Sequence, residues 1–368
     1  MDKKFVMGIA AMAALTLVSC SSDDLDSFSD NSSKNEAISF DGYLGRSAVA
    51  VNGTRGSVAT KDALQNSTEG FGVFGNYSST EFAEGTPAAY GNSLFKNQQV
   101  TYDKTNSKWT YSPLRFWPTS GHIDFLAYAP YDSKYDNTVT KDNQKLEFEV
   151  ISDIENQKDL LYANAGGQTL GKISSTGNKV KFTFNHALSK LGYKVKLSGD
   201  YSSNATFKLT KITLAGSSDG ATKAFYTKGK IDLSKTNAAS DLWSDYATAR
   251  QNFDWFSGSS YTVTGTDLKH PDDYRAEDKD YLFVIPQNFL DADGNGDKLY
   301  VIVEYDITYK SGTTATITNK VYKQIKCDFK PGKAYMINLT LGLPIEFDAE
   351  VTPWGEDNSI EVTEPWDR

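Results

Sequence analysis

Histidine and cysteine are scarce in this chain, with three and two residues respectively among 368. Metal centres and acid–base or thiol chemistry draw on these side chains first, so their scarcity weighs against an enzyme. His122, His186 and His270 lie far apart, and no H-E-x-x-H, C-x-x-C or G-x-S-x-G element accompanies them. Positive charge is also short: 38 Lys and Arg against 47 Asp and Glu leave a formal net charge of −9. Such a surface cannot displace counterions from phosphate, which argues against nucleic acid as a partner. Long apolar runs are missing too, since the best of them, residues 5–18, falls short of the ~20 residues of a spanning helix.

That run is informative in itself. Lys3 and Lys4 precede it and Leu17-Val18-Ser19-Cys20 closes it, the layout of a secretory signal over residues 1–19. The closing tetrapeptide resembles a bacterial lipobox, with small residues before a Cys20 that receives diacylglycerol. Cys327 then keeps the remaining thiol, no internal disulfide can form, and Cys327 is expected to be a small core residue. Residues 20–37 are rich in Ser, Asp and Asn and read as a flexible acidic tether. The tether resembles the export signal that Bacteroidota place after the lipidated cysteine of surface lipoproteins, which implies an outer-membrane lipoprotein precursor at the cell surface.

Aromatic residues make up 13% of the chain, and from Ile38 onward short alternating runs are broken by Gly, Asn, Asp, Ser and Pro. Residues 181–184, 193–197, 207–214, 300–305 and 335–341 carry β-branched or aromatic side chains at the two-residue period of a half-buried strand. The expected fold class is all-β, of sandwich or barrel type. Brief helices are expected only at residues 186–190 and 238–250, and a domain boundary near 184–190.

Two motifs invite a chemical reading. Gly70-Phe71-Gly72-Val73-Phe74-Gly75 has the letters of a dinucleotide loop, but the turn sequence Asn76-Tyr77-Ser78-Ser79 follows where a helix must open. A glycine-interleaved strand is the better reading. Asp291, Asp293, Asn295 and Asp297, with Gly296, look like the first half of a calcium loop. Ile302 stands where the bidentate glutamate belongs, so an Asp/Gly hairpin turn is favoured and no metal or other cofactor is expected.

Eight segments, in order, carry a family resemblance: Glu69-Gly-Phe-Gly-Val-Phe-Gly75, Trp109-Thr-Tyr-Ser-Pro-Leu-Arg-Phe-Trp-Pro118, Ile123-Asp-Phe-Leu-Ala-Tyr-Ala-Pro130, Lys158-Asp-Leu-Leu-Tyr-Ala163, Phe182-Thr-Phe-Asn-His-Ala-Leu-Ser-Lys-Leu191, Tyr281-Leu-Phe-Val-Ile-Pro-Gln287, Gly332-Lys-Ala-Tyr335 and Val351-Thr-Pro-Trp354. Together they resemble the fimbrillin family of Bacteroidota, the Mfa-like subunits of type V pili. The resemblance implies two tandem transthyretin-like β-sandwich domains, here residues 38–185 and 186–368, after the signal peptide and tether. It further implies a pilus subunit, shaft or tip, whose lipidated precursor loses its N-terminal segment to an Arg-specific protease. A strand from the next subunit then fills the vacated groove.

On that reading Ile38-Ser39-Phe40 is the removable first strand, and the cut follows Arg46 or Arg55. Thr54-Arg55 is the closer match to the family's usual Thr-Arg. Either arginine could also be an ordinary loop residue. Donor candidates are Ile345, Phe347 and Val351 in one alternating run and Ile360 and Val362 in another, unless both runs complete the chain's own sheet. The other reading is a surface-anchored adhesin that never polymerises, with Trp255 and Tyr261 exposed to a host or glycan ligand. An extracellular hydrolase is a third, for which no acid pair can be nominated.

Overall fold

Strands are the dominant regular structure in a computed structural model that describes residues 36–44, 61–82, 93–140, 142–235, 239–274, 281–291, 294–310, 315–343 and 347–353. In chain order the strands are β1 (Phe40–Leu44), β2 (Phe71–Ser78), β3 (Ser93–Asp103), β4 (Lys108–Thr110), β5 (His122–Ala129), β6 (Lys145–Glu149), β7 (Leu161–Gln168) and β8 (Val180–His186). There follow β9 (Ser189–Leu197), β10 (Ala205–Ala215), β11 (Phe225–Tyr226), β12 (Lys228–Asp232), β13 (Trp243–Ser244), β14 (Arg250–Gln251), β15 (Phe253–Phe256) and β16 (Tyr261–Val263). The last are β17 (Leu282–Val284), β18 (Leu299–Tyr309), β19 (Thr316–Ile325), β20 (Ala334–Leu341) and β21 (Phe347–Pro353). The all-β expectation holds. The two helical expectations do not: His186 ends β8 and Ser189 opens β9, while Trp243 and Ser244 lie in β13. Short helices occur instead at α1 (Lys61–Asn66) and α2 (Leu170–Ile173).

The first sheet has seven strands in the order β1-β8-β7-β5-β2-β3-β4. Its central strand β5 is buried along its whole length because both faces are covered. Ile123, Phe125 and Ala127 enter one core, built from residues 38–184, and the alternate residues Leu126 and Tyr128 enter a second. That second core lies mainly between a four-stranded sheet, β17-β9-β20-β21, and a five-stranded one in which β10 joins β15 and β16 on one side and β18-β19 on the other. Within β10 the buried residues switch phase, from Phe207 and Leu209 to Ile212 and Leu214, because the register slips by one residue between Leu209 and Lys211. The chain passes from the first sheet to the four-stranded sheet at residues 187–188, although β6 pairs with β12 across that point.

The glycines of the Gly70–Gly75 motif are structural. β2 lies between β3 and β5, and a Cβ at Gly72 would come within 2.4 Å of the Tyr128 ring and 2.6 Å of Asn97 Oδ1. A Cβ at Gly75 would meet the Phe95 ring at 2.8 Å. The crowding of aromatic neighbours, rather than any phosphate, accounts for the motif.

Candidate functional site

Residues 36–44 form the outermost segment of the seven-stranded sheet, and they are held from two sides. On one side β1 runs parallel to β8, pairing Phe40 with Val180 through to Leu44 with Phe184, and Val180 N donates to Ser39 O at 2.8 Å. On the other, Ile38 N donates to Arg115 O at 2.8 Å and Trp117 N donates to Glu36 O at 3.2 Å. The Tyr111 hydroxyl adds a bond to Ile38 O at 2.8 Å, and burial pushes this phenol's pKa upward. The segment is therefore a main-chain zipper between two parts of the chain that are otherwise remote in sequence.

Its side chains explain why it stays. Alternation turns Ile38, Phe40 and Gly42 inward, and Ile38 and Phe40 are 1% and 2% exposed, while Tyr43 points out at 41%. The Phe40 ring sits among Tyr111 at 5.4 Å, Phe125 at 5.5 Å, Phe95 at 5.6 Å and Phe182 at 5.7 Å between centroids. Edge-to-face geometry on Phe95 and Phe125 and stacking on Phe182 are the arrangements aromatic quadrupoles favour. At Gly42 the space narrows: a Cβ there would lie 3.2 Å from Phe184 Cε2 and 3.5 Å from Phe71 Cε1. Withdrawal of residues 36–44 would leave a row of unpaired backbone groups on β8 beside an aromatic trough.

Of the other residues singled out from sequence, Cys20, Arg46, Arg55, Ile345, Ile360, Val362 and Asp293 lie outside the described residues. Phe347 and Val351 belong to β21, which pairs antiparallel with β20 at a sheet edge, opposite Leu341 and Ile337. In the calcium-like loop, Asp291 Oδ1 accepts from Gly296 N at 2.8 Å. Asp297 Oδ2 accepts from Arg250 Nη1 at 2.9 Å and Gln287 Nε2 at 2.8 Å. Among the described residues no three His, Cys, Asp or Glu side chains come together as a metal would require. Cys327 packs half-buried against the second core, and burial pushes its thiol up to about 12, so it is inert as a nucleophile.

The expected exposure of Trp255 and Tyr261 is corrected. They are 1% and 5% exposed, with Trp255 edge-on to Tyr193 and Tyr261 packed against Phe256. Phe253 and Trp255, like Tyr261 and Val263, are two apart and share the inward face of edge strands on β10. The alternation that marks these strands was the signal for their burial. Sequence reasoning also missed Tyr111, Phe95, Phe125 and Phe182 as the lining around Phe40, because contacts across such separations leave no local mark.

The three histidines do not converge but have separate partners. His122 lies 3.2 Å from Asp124 Oδ2 and 2.8 Å from Thr80 O, and His270 N donates to Asp273 Oδ2 at 3.0 Å. His186 Nδ1 lies 2.6 Å from Asp159 Oδ2. Burial opposes the imidazolium of His186, but the charge and hydrogen bond of Asp159 outweigh it and the repulsion of Lys190, so its pKa is raised above 6.5. Lys190, with Nζ 3.9 Å from the centre of the Tyr281 ring, is lowered by burial to about 8 in spite of Asp159.

These shifts have opposite consequences for stability. A raised histidine contributes stability below the unfolded pKa that is lost as pH climbs through the folded value; a lowered lysine restores stability as pH climbs from about 8 toward 10.5. Urea midpoints are expected to fall above pH 6.5 and recover in the lysine window, with His186→Gln removing the fall alone. A flat profile in wild type would contradict this.

A family model described as fimbrillin-like matches residues 54–354. The chain is 28% identical to fimbrium subunit Fim1C of Phocaeicola vulgatus, over 96% of this chain and 97% of that one. It is also similar to the crystal structure of a fimbrial protein from Bacteroides vulgatus, with a TM-score of 0.59 at 22% identity, covering 87% of this chain and 99% of that one. The structural likeness bears on the fold and agrees with the all-β reading.

Proposed function

The chain belongs to the fimbrillin-like family, and from that premise we propose that it is a subunit of a surface fimbrium whose neighbours are other fimbrial subunits, joined to it by donor-strand exchange. The precursor is an outer-membrane lipoprotein anchored through Cys20, and an Arg-specific protease cuts it after Arg55 or Arg46. Its sandwich domains are residues 38–185 and 186–368, with the second core also drawing in Phe74, Leu126, Tyr128 and Tyr162 from the first. Family and fold are those of structural subunits rather than of enzymes.

One observation carries the reading. The segment that fills the edge of the first sheet, with Ile38 and Phe40 buried in an aromatic trough, lies wholly before both arginines. A single cut in residues 45–56 therefore unlinks the strand from the rest of the chain without touching the groove that held it. An empty groove of this kind regains main-chain hydrogen bonds and apolar burial together when another strand enters. The adhesin reading loses the two residues named for it, since Trp255 and Tyr261 are buried.

Purified chain treated with an Arg-specific protease is expected to lose mass corresponding to a new start at Ser47 or Gly56 and to form an SDS-resistant ladder. Substituting both Arg46 and Arg55 with alanine is expected to abolish both changes. Trimming without any ladder would overturn the strand-exchange reading.

A further inference from the structure

A cleft of about 680 Å³ is lined by Tyr226 of β11 and Trp243 of β13, within the roughly 300–1,000 Å³ usual for sites that hold small ligands. Every residue that lines it lies between positions 226 and 333, so it shares nothing with residues 36–44 or the groove they fill. Leu242, Trp243 and Phe329 supply buried apolar wall.

Tyr246 gives the cleft an aromatic face. Its ring stacks on Tyr226 at 4.4 Å between centroids and 16° between planes, and Arg250 Cζ sits 3.9 Å from the centre of the same Tyr226 ring. Two groups so close to one ring must take opposite faces, which leaves Tyr226 sandwiched and Tyr246 at the end of the stack. Tyr246 is 38% exposed, and its hydroxyl donates to Trp243 O at 3.3 Å, so the ring is also anchored at its tip. The residue before it is fixed as well: Asp245 has φ +49°, uncommon for a residue with a Cβ, and its carboxylate meets Lys145 at 3.3 Å and Lys230 at 3.7 Å. Strain of this kind persists where the surroundings over-determine it, and here it presents Tyr246.

The polar lining is ordered before any ligand arrives. Asp297 Oδ2 accepts from both Arg250 Nη1 and Gln287 Nε2, while Gln287 also donates to Ala224 O at 3.1 Å and accepts from Tyr226 N at 3.4 Å. Asp297 Oδ1 accepts no hydrogen bond from the described residues. Asn288, the neighbour of Gln287, accepts from Leu290 N at 2.8 Å through Oδ1, so its Nδ2 donors are left for the cleft. A sugar hydroxyl needs such a pair, since it donates to a carboxylate and accepts from an amide. A pyranose ring also carries an apolar face of C–H groups that lies flat on an aromatic ring. Charge selects further: Asp297 and Asp328 balance Lys330 and Lys333 along the lining, and Asp328 is already paired with Lys330. An acidic ligand would need a surplus of cations that this lining lacks.

We propose that this cleft is a binding site for neutral glycans, with Tyr246 as the stacking platform and Asp297 and Asn288 as the pair that reads hydroxyls. Tyr226, Gln287 and Arg250 are positioning residues, and holding the platform and the carboxylate in place keeps the ordering cost of binding low. The site stands apart from strand exchange, because a cut after Arg46 or Arg55 removes none of its residues. In a fibre of such subunits it repeats, so weak single contacts add up to avidity.

The test displays the full chain, biotinylated, on streptavidin and applies it to an array of neutral oligosaccharides ending in glucose, galactose, mannose or N-acetylhexosamine, with sialylated and sulfated glycans alongside. Binding to neutral members is expected, and the strongest of them is expected to titrate the chain in solution with a change in tryptophan emission from Trp243. Tyr246→Ala is expected to weaken that glycan roughly ten-fold or more, while Tyr246→Trp, which keeps a stacking face, stays within about three-fold of wild type. Asn288→Asp keeps the acceptor for Leu290 N and removes the donors, and a loss of roughly ten-fold is expected from it too. Trimmed and untrimmed chains are expected to bind alike. Binding confined to sialylated or sulfated glycans, or an affinity within about two-fold of wild type in either folded Tyr246→Ala or Asn288→Asp, would overturn the assignment. So would a wild-type chain that binds no neutral glycan at millimolar concentration.

Discussion

Phe40→Ala in the untrimmed chain is expected to cost about 3–5 kcal/mol, the range for deleting a fully buried ring whose site cannot collapse. The ring is 2% exposed and touches four aromatic side chains whose positions are fixed by β3, β5, β8 and the turn carrying Tyr111. Those strands cannot close on the vacancy without breaking their own ladders, so most of the cavity would persist. The loss reads out as a lower denaturant midpoint for the transition that includes the first sheet. After trimming and removal of the freed segment, the variant and wild type become the same molecule, and the difference must vanish. A cost below about 1 kcal/mol would mean that the segment is not seated as described.

Gly70→Ala is expected to be at least as damaging. Gly70 has φ +63°, and an added Cβ would lie 2.0 Å from Val100 O and 3.0 Å from Val100 C, backbone atoms at the start of the β2–β3 register. Relief requires β3 to move away from β2, and Phe71 and Val100, both fully buried, would separate with it. More than about 4 kcal/mol is expected, with little soluble protein recovered. Gly177→Ala separates conformational strain from collision, because Gly177 has φ +77° and nothing within 4 Å of the added Cβ. It is expected to cost only about 1–2 kcal/mol. Equal costs at the two sites would contradict the packing account of the Gly70–Gly75 motif.

Much of the architecture was legible from alternation alone. Residues 181–184, 193–197, 207–214, 300–305 and 335–341 fall in β8, β9, β10, β18 and β20, because a half-buried strand writes its two faces directly into the sequence. The segments at 186–190 and 238–250 were misread as helical because short mixed runs carry too little periodicity to outweigh tertiary pairing. Ile38 and Phe40 were readable as a strand, but their partner was not. β1 pairs with β8 in parallel, roughly 140 residues away, and a parallel pair separated by most of a sheet leaves no turn signal to find. Trp255 and Tyr261 show the reverse case, where attention to ring chemistry overrode an alternation that already placed them inside.

The most direct measurement of the central claim is the N-terminal sequence and intact mass of the subunit taken from assembled surface fibres. The account predicts a chain that begins at Ser47 or Gly56, carries no acyl group, and lacks Ile38 and Phe40 entirely. A fibre subunit that still begins at a lipidated Cys20 would contradict it.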